Sequence, residues 1–269
     1  KAVWSPQGSR VVLITETLGE TRAFAGALER TDTGETTLAK TELPGEIDNV
    51  AFSATGESVY YTLASEEGSA GYEYNLKTNT RTVRFNSPLR DIVVVWGSET
   101  DASLPLVVYT APTAQFDGYA YESGFTRLTD GMRGLMIVPA RDRRVVSYAE
   151  NNTLISLSYT DAARGTLLGI PLFPEKCAAD PTSAATLWCG APSALTPGAY
   201  PDQWYQGAVS FNDNIWQVDI ETGAATLVSV PEDDAKEAID VTDMQIDGEG
   251  DTLLFINKKD GALWTQKTR

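Results

Sequence analysis

Trp4-Ser5-Pro6-Gln7-Gly8-Ser9-Arg10-Val11-Val12-Leu13 decides the fold: an apolar residue, a small polar turn with a glycine, then an apolar strand. Phe52-Ser53-Ala54-Thr55-Gly56-Glu57-Ser58-Val59-Tyr60-Tyr61 repeats it closely. Val138-Pro139-Ala140-Arg141-Asp142-Arg143-Arg144-Val145-Val146-Ser147 and Ile246-Asp247-Gly248-Glu249-Gly250-Asp251-Thr252-Leu253-Leu254-Phe255 repeat it again. Two weaker copies fill the gaps. One starts at Trp96 and resumes as Leu106-Val107-Val108-Tyr109; the other runs from Ala178 through Asp180-Pro181 to Leu187-Trp188-Cys189. Markers at Trp4, Phe52, Trp96, Val138, Ala178 and Ile246 are separated by 48, 44, 42, 40 and 68 residues. A period of about 40–50 residues is that of propeller blades, and the long step is one repeat carrying an insertion of roughly 25 residues.

Each repeat continues alike. A third strand follows the hairpin: Thr21–Glu29, Gly71–Leu76, Gly118–Tyr121, Leu154–Ser158, Ile215–Ile220 and Leu263–Lys267. Then comes a turn such as Asp32-Thr33-Gly34, Lys77-Thr78-Asn79 or Glu221-Thr222-Gly223, and a Thr-rich strand at Thr36–Ala39, Thr80–Phe85 and Ala225–Val228. Strand, Gly/Asn turn, strand is the hairpin signature, and four strands make one blade. Ile92–Trp96 and Leu106–Tyr109 lack polar alternation, as strands covered on both faces should. Helical periodicity is nearly absent; the best candidate is Pro231–Ile239, which could equally be an acidic loop.

These patterns predict an all-β chain: one β-propeller domain over 1–269, of about six four-stranded antiparallel blades. The repeats fall near 1–45, 46–88, 89–131, 132–172, 173–230 (with the insertion at 191–212) and 231–269. The last stops after its third strand. The expectation is that residues upstream of Lys1 supply the missing outer strand, or complete a seventh blade. A chain that opens at Lys1 without Met and almost at once enters a repeat reads as a mature or trimmed product.

The formal charge is −16, from 37 acidic and 21 basic residues. Such a surface repels phosphate backbones and anionic lipid, so a nucleic-acid partner is not expected. No apolar run approaches the roughly 18 residues that span a bilayer. Histidine is absent, which excludes a Ser-His-Asp triad, a Cys-His pair and a His-rich zinc site. There is no Gly-x-Ser-x-Gly elbow.

The opening Trp-Ser-Pro-Gln-Gly hairpin resembles the WD40-like (PD40) repeats of TolB-type propellers, whose units open with an aromatic-Ser-Pro-Asp-Gly pattern; Gln7 stands where Asp is usual. The resemblance covers all six repeats and implies fold only. The Gly-His and Trp-Asp signature of WD40 proteins and the aspartate boxes of sialidase-type propellers are missing. In the second half, Pro174-Glu175-Lys176-Cys177, Leu187-Trp188-Cys189-Gly190, Tyr200-Pro201-Asp202-Gln203-Trp204-Tyr205-Gln206-Gly207 and Asp213-Asn214-Ile215-Trp216-Gln217-Val218-Asp219 resemble uncharacterised extracytoplasmic propellers of candidate-phylum (Patescibacteria, Parcubacteria-like) bacteria. That resemblance implies a surface-exposed domain behind an N-terminal membrane anchor missing from this sequence, and no activity.

Three features stand outside the repeat. Cys177 and Cys189 flank one hairpin and are either a disulfide, which fits an oxidising compartment, or two buried thiols. The 191–212 insertion carries Tyr200, Asp202, Gln203, Trp204, Tyr205 and Gln206. Aromatics beside amides and a carboxylate suit a sugar or peptide; the alternative is a plug that fastens the loop to the scaffold. Asp247-Gly248-Glu249-Gly250-Asp251 resembles part of a calcium loop but falls where other repeats turn. The acids Glu232, Asp233, Asp234, Glu237 and Asp240 read as a solvated face.

The leading expectation is a non-enzymatic, extracytoplasmic, membrane-anchored binding or scaffold propeller. It would need no cofactor, and its partner would be a protein, peptide or glycan at the cell surface. One rival is a carboxylate-based, glycan-active hydrolase or lyase with calcium as its possible cofactor. Another is a structural part of an envelope assembly.

Overall fold

A computed structural model describes residues 1–30, 34–96, 106–122, 126–140, 143–159 and 165–268. It is an all-β, six-bladed propeller of small antiparallel sheets. In each sheet the strands pair in chain order. The first holds Ala2–Trp4, Arg10–Thr17, Glu20–Arg30 and Thr36–Leu43. The second holds Asp48–Phe52, Ser58–Ser65, Gly68–Asn75 and Thr80–Ser87. The third holds Ile92–Val95, Val107–Thr110 and Ala120–Glu122. The fourth comprises Met136–Ala140, Arg143–Glu150, Thr153–Tyr159 and Thr166–Leu167. The fifth comprises Cys177–Ala179, Thr186–Pro192, Asp213–Asp219 and Ala225–Ser229. The sixth comprises Val241–Ile246, Thr252–Asn257 and Leu263–Lys267.

The repeat seen in the sequence is a repeat of hydrogen bonds. In three blades the residue after the marker closes the same turn: Ser5 N to Arg10 O at 2.9 Å, Ser53 N to Ser58 O at 2.9 Å and Asp247 N to Thr252 O at 3.0 Å. Its side chain accepts from the backbone as well: Arg10 N donates to Ser5 Oγ, Ser58 N to Ser53 Oγ, and Asp251 N to Asp247 Oδ1. The turn glycine sits at φ 66°, 70° and 76° in Gly8, Gly56 and Gly250. Only glycine takes that conformation without steric cost, hence its recurrence. The Asp247–Asp251 segment is thus the sixth hairpin turn. The outer hairpins repeat too. Asn75 Oδ1 accepts from Lys77 N and Thr78 N, and Asp219 Oδ1 from Glu221 N and Thr222 N, all at 2.9 Å. These are Asx turns.

The chain divides into two compact units, Lys1–Thr110 with Tyr121–Thr126, and Ala111–Ala120 with Arg127–Arg269. In the first, Val12, Ala25, Val59 and Tyr61 pack the first sheet on the second, and Phe85, Ile92, Val94 and Val108 pack the second on the third. In the second unit, Val145, Cys177, Leu187 and Val218 join the fourth sheet to the fifth, and Trp188, Ile215, Val241 and Phe255 join the fifth to the sixth. A Cβ on Gly190 would stand 2.6 Å from Val241 Cβ, so the fifth and sixth sheets approach through a glycine. Pro231–Ala235 is a short helix, capped by Lys236 (φ 60°), that stops four residues short of the expected Ile239. Among the described residues no helix is long and apolar enough to cross a membrane.

Candidate functional site

The insertion grows out of the fifth sheet. Ala191 and Pro192 still pair with Asn214 and Asp213, so the loop leaves the ladder at residue 193. Its centre is the one-turn helix Asp202–Tyr205. Glycines and main-chain bonds fix its course. Gly198 N donates to Asn152 O at 2.9 Å, and Gly134 (φ 60°) lies so close to Tyr200 that a Cβ would stand 2.6 Å from the Tyr200 carbonyl oxygen.

The six residues singled out by sequence divide by depth. Tyr200 and Trp204 are each 1% exposed and pack with Met136, Leu154, Phe173 and Phe211. They are anchors and present no face to solvent. Asp202 is also occupied: its carboxylate accepts from Thr113 Oγ1 and Ala114 N, both at 3.0 Å. Gln203 Oε1 accepts from Ala199 N at 3.1 Å. Tyr205, 39% exposed, and the exposed Gln206 remain at the surface. Tyr205 donates its hydroxyl to Glu175 Oε1 at 2.6 Å. Burial pushes the Glu175 carboxyl up, against the Tyr205 bond, and the charge on Asp243 adds to the rise.

Under the helix lies a cluster the sequence reading did not find. The Lys176 ammonium has no exposed surface; it donates to Asp213 Oδ2 and, at 2.5 Å, to Asp240 Oδ1. It also lies 4.8 Å from the ring centroids of Trp204 and Phe211. Asp240 is saturated. It accepts from Trp204 Nε1 at 3.0 Å, Ser210 Oγ at 3.0 Å and Phe211 N at 3.1 Å as well as from Lys176. Burial pushes its carboxyl up, but Lys176, Trp204 and the Phe211 amide outweigh that and hold it below the usual carboxylate value. Asp213 accepts from Val241 N at 2.8 Å on Oδ2, while its buried Oδ1 has no donor. Burial pushes Asp213 up to about 6; Lys176 opposes the rise and Asp240 adds to it. Asp240 is therefore not part of the solvated acid face; Glu232, Asp233, Asp234 and Glu237 are exposed, but Asp240 is 1% exposed. In sequence Lys176 and Asp213 were visible only as family-like motif positions, because nothing local marks a lysine for burial 37 residues from its acid.

Cys177 and Cys189 face each other directly across the first two strands of this sheet and form a disulfide, with Cα atoms 4.1 Å apart. It adjoins the cluster, since Lys176 precedes Cys177.

Two cavities flank Val209 and Ser210, which line both. One, about 410 Å³, is bounded by Tyr205, Gln206, Gly207, Asp240, Lys258 and Lys259. The other, about 620 Å³, is bounded by Pro192, Ala194, Phe211, Leu227, Val230 and Glu232 among others. Lys258 donates to the Trp204 carbonyl and lies 4.4 Å from that residue's ring centroid. Among the described residues, no three His, Cys, Asp or Glu side chains gather so as to hold a metal ion.

No family model matches the chain, and no curated protein sequence does. Solved structures do. TolB from Acinetobacter baumannii superposes with a TM-score of 0.52 at 12% identity, over 84% of this chain and 52% of TolB. Acylaminoacyl peptidase from Pyrococcus horikoshii gives 0.62 at 12% identity, over 98% of this chain and 44% of the peptidase. The β-propeller domain of the Trilobed protease from Pyrococcus furiosus gives 0.60 at 10% identity, over 98% of this chain and 78% of that domain. The chain spans about half the length of the first two. At these identities the likeness is one of fold: a TolB-like β-propeller.

Proposed function

We propose that this protein is a non-enzymatic binding or scaffold propeller, working outside the cytoplasm on a protein, peptide or glycan partner. The observation that carries this reading is the insertion of the fifth blade. It is locked from below by the Lys176–Asp213–Asp240 cluster and Trp204, and it opens above onto two cavities. A rigid scaffold that fixes an irregular loop beside open cavities is the arrangement of a recognition surface. The disulfide supports the extracytoplasmic location, because such bonds persist where the medium is oxidising. The reading invokes no cofactor.

A carboxylate hydrolase finds less support. The two acids that converge here do so on an ammonium, out of contact with solvent, and every oxygen of Asp240 already holds a donor. A glycosidase pair must instead flank a cleft and reach the scissile bond.

The test is a parallel screen of the intact chain on a glycan array and on a displayed peptide library, with the Tyr205→Ala/Gln206→Ala double variant beside it. The expected result is at least one ligand class whose binding falls fivefold or more in the double variant at unchanged melting temperature. Ligands that bind both proteins equally would remove the loop from the reading.

A further inference from the structure

We propose that the two cavities beside Val209 and Ser210 together seat an extended peptide segment that carries a carboxylate, with the carboxylate against Lys258 and Lys259 and an apolar side chain against Leu227 and Val230. The proposal rests on the binding reading above and names its ligand.

Charge is the first argument. The protein carries a formal −16, yet the smaller cavity is bordered by Lys258-Lys259, the only Lys–Lys step in the sequence. Lys258 is held in place by the Trp204 carbonyl and ring, which leaves further N–H donors on its ammonium. The exposed Lys259 side chain has no partner among the described residues. Asp240 borders the same cavity, but the donors on its oxygens are Lys176, Trp204, Ser210 and the Phe211 amide, not Lys258 or Lys259. The cations toward solvent are therefore unmatched by an acid in the wall, and an anionic group is what completes them.

The neighbouring cavity selects the kind of anion. Its wall sets Pro192, Ala194, Val209, Leu227 and Val230 beside the polar Ser193, Asn212 and Asn214 and the acid Glu232, which accepts from Asn212, and Leu227 is 47% exposed. A half-exposed leucine beside a valine asks for an aliphatic or aromatic side chain, since covering apolar surface is favourable in water. A uronic-acid oligosaccharide would satisfy the lysines and the polar side chains but would leave Leu227 and Val230 without an apolar partner. A peptide supplies both groups a few residues apart. The carboxylate can be a chain terminus or an Asp or Glu side chain.

The experiment uses the intact chain and a peptide library displayed with free C termini, followed by solution titration of the enriched sequences as free acids and as C-terminal amides, and an oligogalacturonate array beside them. Enriched peptides are expected to carry a carboxylate and, within four residues of it, Leu, Ile, Val, Met or Phe. Lys259→Glu is expected to weaken them at least tenfold and Leu227→Ser at least threefold, with melting temperatures unchanged, as both side chains are exposed. Loss on amidation assigns the terminal carboxylate; retention with loss on Asp/Glu→Asn/Gln assigns the side chain. Peptides that bind without any carboxylate, or that ignore Lys259→Glu, overturn the proposal. Binding to oligogalacturonate alone overturns it while leaving the binding reading intact. Silence on both arrays overturns the proposal and leaves the binding reading to the wider glycan and peptide screen described above.

Discussion

The ammonium of Lys176 is bound by one oxygen of Asp213 only: Oδ2 accepts its proton, and Oδ1 of the same buried carboxylate has no donor at all. With Asp240 on the other side, two acids share one cation, and the cluster carries one surplus negative charge out of water. Such a surplus is costly, and a proton is the cheapest remedy.

The stability of the protein should record that proton. The Asp213 carboxyl is raised to about 6 in the folded state from an ordinary 3.8. A raised acid contributes stability that is fully present below the unfolded value and is lost as pH rises through the folded one. Between pH 4 and pH 7 the loss is on the order of 3 kcal/mol. Other carboxylates also titrate there, so the informative quantity is the difference between wild type and Asp213→Asn. Wild type should lose ground to the variant as pH rises from 4 to 7, measured by urea unfolding at each pH. A constant difference would sink the assignment.

Asp240 should behave in the opposite way. Its carboxyl is held low, so its contribution is present above the ordinary carboxylate range and is lost as pH falls through the depressed value. Asp240→Ala strips the acceptor from Trp204, Ser210 and the Phe211 amide, and leaves Lys176 with Asp213 alone. The Lys176–Asp213 pair stays balanced, so the cost lies in the three stranded donors, roughly 3–5 kcal/mol together at about 1–3 kcal/mol for each buried donor left unpaired. The expected result at pH 7 is a destabilisation of that size; a loss below about 1 kcal/mol would mean that water replaces the carboxylate.

The disulfide closes a short loop within one blade, from Cys177 to Cys189, 12 residues apart in sequence. In the chain-entropy account a loop of this length is worth roughly 2–3 kcal/mol. Reduction, or the Cys177→Ser/Cys189→Ser pair, should lower the unfolding free energy by that amount, read from the shifted urea midpoint, without loss of β-sheet circular dichroism. The partners stand in register across the ladder, so the backbone does not depend on the bond to hold the strands together.

How far the sequence could be read follows from range. The hairpin turns are local: Ser5, Ser53 and Asp247 bond within five residues, and a glycine at positive φ marks each one. Their recurrence announced the blades and their hairpins, and placed Cys177 and Cys189 on one hairpin while leaving disulfide and free thiols both open until the structure joined them. Strand edges were close, with Leu263–Lys267 met in full. The cluster was not legible, because Lys176, Asp213 and Asp240 come from three separated segments and look like ordinary surface residues one at a time. Asp240 was masked further by the acids that precede it. In the insertion, composition marked the aromatic residues but not their depth. Trp204 and Tyr205 are neighbours on a single helical turn, and only packing against Phe173 and Phe211 tells which one turns inward.

That pair allows the loop's two roles to be separated. Trp204 fills the space above Lys176, donates its indole N–H to Asp240 and receives Lys258 on its ring and carbonyl. Trp204→Ala should destabilise by roughly 3–5 kcal/mol, as large aromatic truncations in a core do. Trp204→Phe keeps most of the ring but leaves Asp240 one donor short, and should cost about 1–2 kcal/mol. Tyr205, half in solvent, bonds Glu175 and rests its ring 5.4 Å from that of Trp204, so Tyr205→Ala should cost on the order of 1 kcal/mol, well below Trp204→Ala. Chemical denaturation of the three variants checks the order. If Tyr205→Ala proved as damaging as Trp204→Ala, the surface tyrosine would belong to the anchor, and the cavity above it would lose the one aromatic wall available to a ligand.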